Sequence, residues 1–219
     1  MVKIKEIAVL VSGGLDSAIL TAHLLKTHSF VQPIYLKSGH VWEKTEFFWL
    51  KRYLKAIADQ RLRQLVSLSF ETRDLYEGHW SLTGKKTPDE RSDDRKVYLP
   101  GKNLLLIAKA SVYCSLNHIS MLALGPLKTN PFPDAKSSFF KNLEKICSDG
   151  LNFKLKIKTP FLKKTKNEVM KLGKNLPLHL TFSCLSPIGN NHCGKCNKCA
   201  ERKKAFREAK MEDRTKYAC

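Results

Sequence analysis

The sequence predicts an α/β protein: a doubly wound, mostly parallel five-stranded sheet with a small cysteine-rich helical extension at its C-terminal end. Three observations predict it. An apolar run, Ile7–Val11, leads straight into Ser12-Gly13-Gly14, and a second apolar run begins at Leu15. Strand-like and helix-like stretches then alternate down the chain, the pattern of a parallel sheet with crossover helices. Beyond that alternation, four of the seven cysteines fall at positions 184, 193, 196 and 199.

The first stretch reads as a buried strand, a two-glycine turn and a helix start. Glycine lets the backbone turn sharply and lets a ligand approach without a Cβ in the way. Amides of the turn and of the first helical turn then face one spot, where the helix dipole favours an anion. Ser12 and Ser17 can add hydroxyl donors, and Asp16 can cap free amides or help place a metal-bound phosphate. No G-K-[ST] follows the turn and no G-x-G-x-x-G is present, so neither of those phosphate-binding motifs applies.

Composition sets the outer limits. The chain has 219 residues and is 42% hydrophobic, enough for one α/β domain with an appendage. No apolar run approaches the ~20 residues of a membrane span. The start, MVKIKEIAVLVSGG, is basic and then apolar but has no small-residue cleavage site, so it reads as a core strand of a cytoplasmic protein. The net charge is +19, from 39 Lys and Arg against 20 Asp and Glu. Such a field could draw a nucleotide, an acidic substrate or nucleic acid. The lysines are scattered and no basic stripe with interleaved aromatics occurs, which favours plain lysine-rich composition.

Taken in order, residues 16–26 fit a buried first helix, and Val31–Leu36 a second strand. Ligands of open parallel sheets bind beyond the carboxyl ends of the strands, so Tyr35, Leu36 and the following residues to Ser38 become backbone candidates for reading a purine. Trp42–Ala58 reads as a helix with His40, Trp42, Glu43 and Glu46 near the same rim. His40 can touch a ligand there or simply be solvated. Leu65–Phe70 is a third strand. Residues 71–100 show no periodicity and read as a mobile lid or a surface insertion. After Leu99-Pro-Gly, Lys102 and Asn103 open a helix that runs to Leu116. A lysine at the positive end of a helix dipole is unfavourable unless an anion sits beside it. Ile119–Gly125 is a fourth strand, followed by a loop carrying Lys128, Thr129, Asn130, Phe132 and Asp134. That loop offers a flat ring and a polar edge, or is merely a stiff proline-rich turn. Ser137–Cys147 is helical, Phe153–Phe161 alternates as an edge strand, and Thr165–Leu172 is a short helix.

Cys184-x8-Cys193-x2-Cys196-x2-Cys199 matches a closed four-thiolate site. Zinc is the preferred ion, in a structural role, and an iron–sulfur cluster is the alternative. Gly189 and Gly194 provide turns, Lys195 and Lys198 would help ionise the thiols, and His192 could replace one cysteine. Cys114 and Cys147 read as buried core thiols, and Cys219 as a free terminal one. A basic helix follows Cys199.

The turn SGGLDS after a first apolar strand resembles the SGGxDS loop of the PP-loop ATP pyrophosphatases, which cleave ATP to AMP and pyrophosphate. Together with LPGKN, Gly125, PFPD, TPF, TFSC and CGKCNKC followed by AERKKAF, it makes the chain similar to the 7-cyano-7-deazaguanine (preQ0) synthase family of queuosine biosynthesis, over nearly the whole length. The resemblance implies a Rossmann-like PP-loop domain over residues 1–180 and a zinc-binding extension over 181–219, packed on it. It implies an ATP-dependent ligase, dimeric as often in the family, that adenylates 7-carboxy-7-deazaguanine, uses ammonia to form the nitrile, and releases AMP and pyrophosphate. By the same resemblance Ser12, Gly13, Gly14, Leu15, Asp16 and Ser17 would hold the pyrophosphate and Mg²⁺, and Tyr35 and Leu36 the rest of ATP. Lys102, with Asp16 and Asn103, would serve the chemistry. His40, Asn130, Phe132 and Asp134 would hold the deazaguanine, and Cys184, Cys193, Cys196 and Cys199 the Zn²⁺. Two loops depart from the family: TNPFPDAK has Ala135 where a cysteine is usual, and Ser38-Gly39-His40 replaces a Gln-Arg-His element. A paralogue that adenylates another carboxylate or a tRNA base is the alternative these departures keep open.

Overall fold

The computed structural model describes residues 5–218. Five strands, β1 (Glu6–Leu10), β2 (Phe30–Lys37), β3 (Val66–Ser69), β4 (Met121–Ala123) and β5 (Lys156–Lys158), form one sheet in the order β3-β2-β1-β4-β5. Every neighbouring pair is parallel. The order reverses between β1 and β4, and a crevice opens beyond the strand ends at such a switch point. Around the sheet lie α1 (Leu15–Leu25), α2 (Glu43–Ala56), the single turn α3 (Trp80–Thr83), α4 (Lys102–Leu116), α5 (Ser137–Gly150), α6 (Lys166–Leu172) and α7 (Asn197–Glu208).

Alternation along the central strand sorts the two layers. Ile7 and Val9 face a core shared with α1, α2, α6 and α7, while Ala8 faces a second core built with α4 and α5. Both faces of β1 are fully buried, which explains why it reads as a continuous apolar run. Ala205 and Phe206 of α7 belong to the first core, so the end of the cysteine-rich extension packs on the sheet's own helices. Cys114 and Cys147 are buried in the second core as expected, and Cys219 lies outside the described residues. No helix among the described residues is long and apolar enough to cross a membrane.

Two expectations change. The edge strand expected over Phe153–Phe161 narrows to Lys156–Lys158, because an edge strand with lysines at alternate positions pairs on one side only. Residues 71–100 are neither a free lid nor a bare insertion. Their second half is pinned to the cysteine-rich lobe: Asn197 Nδ2 donates to Ser92 O and Asp94 Oδ1, both at 3.0 Å, and the Glu90 amide donates to Lys195 O at 2.9 Å. We call this segment the strap.

Candidate active site

The glycine turn is built as the sequence requires. Gly13 adopts φ +74°, and a Cβ there would meet Glu46 O at 3.3 Å, so the turn is seated directly on α2. Ser12 and Ser17 brace it. The Ser12 amide donates to Ser17 Oγ, and that hydroxyl donates to Gly14 O, each at 3.2 Å. Ser17 therefore spends its hydroxyl inside the turn. Asp16 does not cap α1, which has no side-chain cap. Instead both its oxygens accept from Lys166 Nζ at 2.8 Å. Lys166 also pairs with Glu201 at 3.3 Å, and Glu201 with Lys198 at 2.5 Å. The two ammonium groups hold the Glu201 carboxyl at about 2, against its burial. Lys198 thus belongs to this chain of charges and to the cavity wall.

Two contiguous cavities lie over the strand ends. The smaller, about 210 Å³, has the glycine turn (Ser12, Gly14, Leu15, Asp16) on one side and Lys102, Lys166 and Lys198 on the other. Gly13 itself lines neither cavity among the described residues; its part is to shape the turn. The larger cavity, about 380 Å³, is walled by Leu10, Val11 and Tyr35–Leu36 at the strand ends and by Trp80, Tyr98 and Phe132 from the loops. Aromatic rings dominate that wall. His40 stacks on Trp42 at 4.6 Å, Trp42 on Trp80 at 5.7 Å, and Tyr98 on Phe132 at 4.7 Å. The strap supplies Trp80, Val97, Tyr98 and Leu99, so a stretch without periodicity furnishes much of the pocket.

The polar groups between these walls are few and heavily perturbed. Lys102 opens α4 behind Gly101; burial lowers its pKa, and the charges of Glu46 and Asp134 support its ammonium against that. Tyr35 Oη donates to Glu46 Oε2 at 2.8 Å. Burial raises the Glu46 carboxyl to about 7. Asn103 and Asp134 lock together: the Asn103 amide donates to Asp134 Oδ2 and its Nδ2 to Asp134 O, both at 3.0 Å. Asp134 Oδ1 is buried with no partner among the described residues, and burial raises this carboxyl. Asn130 Oδ1 accepts from the Phe132 amide at 3.0 Å and so shapes the loop while lining the cavity. His40 is buried, its Nδ1 unpaired, and burial lowers it to about 3, so it is a neutral ring rather than a solvated one. At the end of β2 the Ser38 and Gly39 amides are taken by Glu43 Oε2. This removes Ser38 N–H from the backbone groups free to read a purine.

Behind the smaller cavity the sulfurs of Cys184, Cys193, Cys196 and Cys199 lie within 4.8 Å of one another, all four residues buried. The Cys184–Cys196 and Cys193–Cys199 separations are 3.9 Å. Four thiolates at ~2.3 Å around a tetrahedral ion stand roughly 3.8 Å apart, which fits zinc. A four-iron cluster binds each cysteine to a separate iron and needs a wider cage. His192 is no ligand: its Nε2 accepts from the Ser183 amide at 3.1 Å, between Phe182 and Tyr217. Arg202, 1% exposed, ties the lobe to the body through Thr181 Oγ1, Leu178 O and Thr215 Oγ1.

Of the residues singled out in the sequence, Ser12, Asp16, Ser17, Tyr35, Leu36, His40, Lys102, Asn103, Asn130, Phe132 and Asp134 line one cavity. It missed Lys166, Glu201, Trp80 and Tyr98. A lysine at the start of the helix after the last strand was the one available signal for Lys166.

The strand order, the glycine turn at the switch point and the four-cysteine centre define a protein of the PP-loop fold with a cysteine-rich extension. The family model described as "Queuosine biosynthesis protein QueC" matches residues 6–210, and the chain belongs to that family. It is 32% identical to the 7-cyano-7-deazaguanine synthase of Methanocaldococcus jannaschii, covering 97% of this chain and 99% of that one. It is 27% identical to 7-cyano-7-deazaguanine synthase 2 of Sulfurisphaera tokodaii over 98% of its own length, but spans only 48% of that relative. A solved structure described as a predicted subunit of tRNA methyltransferase from M. jannaschii shares the fold, with a TM-score of 0.51, 16% identity and coverage of 76% of this chain and 73% of that one.

Proposed function

We propose that the chain is an ATP-dependent ligase that converts 7-carboxy-7-deazaguanine and ammonia into 7-cyano-7-deazaguanine. The observation that carries this reading is the division of one crevice into a lysine-rich end against the glycine turn and an aromatic end that holds a buried carboxylate with one oxygen unpaired among the described residues. The triphosphate fits the first. Its charge would be met by Lys102, Lys166 and Lys198, with the α1 N-terminus behind them. A deazaguanine fits the second. Its ring would lie against the Tyr98–Phe132 wall, and its amidine edge, a pair of N–H donors, would meet Asp134 Oδ1, the acceptor left without a partner.

A carboxylate is a poor electrophile. Its attack on the α-phosphorus would form an acyl adenylate and expel pyrophosphate. Ammonia then displaces AMP to give the amide. A second ATP adenylates the amide oxygen, and loss of AMP with a proton leaves the nitrile. The residues position the reactants and neutralise phosphate charge. Lys102 stands where the two cavities meet and would face the α-phosphate during transfer. Mg²⁺ would be held by Asp16 and the phosphates. Both Asp16 oxygens keep a further lone pair beyond their Lys166 bonds, so the residue fits that part, and the ion would supply additional charge neutralisation. Zn²⁺ on the four cysteines would be structural, because the closed sulfur cage leaves no open position.

The test is incubation with ATP, Mg²⁺, ammonia and 7-carboxy-7-deazaguanine. AMP, pyrophosphate and a product lighter by two waters less one ammonia are expected. AMP without that product would favour a second reading, adenylation of another carboxylate or of a tRNA base. That reading draws on the departures in the Ser38-Gly39-His40 and TNPFPDAK loops, whose Ser38, His40, Asn130 and Phe132 line the substrate end, and on the +19 charge.

A further inference from the structure

The reaction needs ammonia as a free base, yet at neutral pH its aqueous form is ammonium, whose nitrogen has no lone pair to offer. The crevice contains one carboxylate placed to deal with this. Glu46 lines both cavities, as does the ring of Trp42, so the two sit at the seam where the aromatic end meets the triphosphate end. Tyr35 Oη occupies Glu46 Oε2, and among the described residues nothing hydrogen-bonds Oε1. A Cβ on Gly13 would meet Glu46 O at 3.3 Å and its Cγ at 3.4 Å, so the glycine lets the turn that would carry the phosphates come close to this side chain. Trp42 already stacks with His40 and Trp80 and has Lys102 Nζ over its ring at 5.9 Å, so a small cation in this seam would be met by the open Glu46 Oε1, a charge-assisted acceptor that suits ammonium. Asp16 is already engaged by Lys166, and the open Oδ1 of Asp134 would be taken by the deazaguanine edge, so neither competes for that place.

We propose that Glu46 binds ammonium at this seam and takes its proton, delivering ammonia to the acyl adenylate. This rests on the ligase reading above. The step balances as follows. One N–H proton passes from ammonium to Glu46. The freed lone pair forms the C–N bond at the acyl carbon, and the C–O bond to AMP breaks with its electron pair on the phosphate oxygen. The second proton leaves the new nitrogen for the departing phosphate, and Glu46 returns its own proton to water through the open cavity. Glu46, raised to about 7 by burial, is matched to such a role near neutrality. The charged and titratable groups around it are Lys102 from α4, Tyr35 from β2, Glu43 from its own helix, and Asp16 and Lys198 across the smaller cavity.

The experiment measures amide and nitrile formation at constant ammonium across pH, beside carboxylate-dependent ATP–pyrophosphate exchange without ammonia. Wild type should lose the ammonia-dependent rate below about pH 7, the exchange showing no such limb. Glu46→Gln should lower the ammonia step by about 100-fold near neutrality and replace the limb's break near pH 7 by a rate that simply follows free ammonia, while exchange changes by less than about threefold. Glu46→Asp should keep the limb at a reduced rate, and it carries the test if the glutamine variant does not fold. A glutamine variant with wild-type ammonia turnover, or with the limb intact, overturns the role of Glu46, and so does an aspartate variant without the limb. Wild type that shows no carboxylate-dependent exchange would instead overturn the ligase reading itself.

Discussion

The two ends of the crevice are made in different ways. The lysine-rich end stands on regular structure: the turn after β1, the first turns of α4 and α6, and the start of α7. The aromatic end is made from loops, with Trp80 and Tyr98 on the strap and Phe132 on the connection after β4. The strap is held by the cysteine-rich lobe through Asn197 and Lys195. One end therefore depends on the sheet, and the other on a small lobe that needs its own staple. Perturbing each support in turn should separate them.

The largest effect should come from the staple. Structural zinc contributes apparent binding free energy on the order of 10 kcal/mol, all of it coupled to folding of the lobe. Chelation, or Cys196→Ser, should lower the thermal midpoint by more than about 10 °C and change tryptophan emission, since Trp42 packs against the cysteines with Val97. Metal analysis should find zinc in the purified chain. Next comes Asp16→Ala, which strips the anchor of Lys166 and the carboxylate at the phosphate end. Carboxylate-dependent ATP–pyrophosphate exchange should fall on the order of 100-fold while the lobe's midpoint stays put. Undiminished exchange in that variant would dissolve the distinction between the two ends.

What was legible in the sequence follows the same division. The glycine turn is local chemistry, six consecutive residues whose types demand a sharp phosphate-facing turn. The cysteine spacing is local in the same sense. The alternating strands pointed to a doubly wound sheet with its ligand face at the carboxyl ends of the strands, the face on which Lys102 and Asp134 both lie. Lys166 and Glu201 were invisible because their meaning lies in Asp16, whose distance from Lys166 in sequence is 150 residues. Lys198 was read only toward the thiols, although Glu201, the partner it takes in the structure, lies three residues on. The strap carried no period, since its residues answer to the lobe and the cavity rather than to a helix or a sheet.

A smaller effect should appear in pH. His40 sits neutral at the aromatic end, near 3 in the fold against an ordinary value near 6.5. Above pH 6.5 both folded and unfolded forms are neutral and the residue contributes no slope. Below it the unfolded chain takes up a proton that the folded one refuses, so stability falls as pH drops from 6.5 toward 3. The slope from this residue is at most about 1.4 kcal/mol per pH unit. Denaturant melts of His40→Asn should show that slope reduced by the same amount, and an unchanged slope would mean the ring is solvated after all.

The mildest perturbation asks whether the aromatic end holds the deazaguanine at all. Tyr98 and Phe132 reach the cavity from segments far apart in sequence and stack with an interplanar angle of 30°. A pair of that kind is worth about 0.5–1.5 kcal/mol beyond the area it buries. Phe132→Ala should therefore raise the KM for the carboxylate by roughly 10-fold, with exchange at saturating substrate little altered. Tyr98→Ala should do much the same, and the double variant should cost less than the sum, because either single change already removes the shared wall. The KM that moves is the informative quantity. A shift confined to ATP would assign the rings to the adenine and would put the deazaguanine elsewhere in the crevice, leaving Asp134 Oδ1 to be explained by another donor.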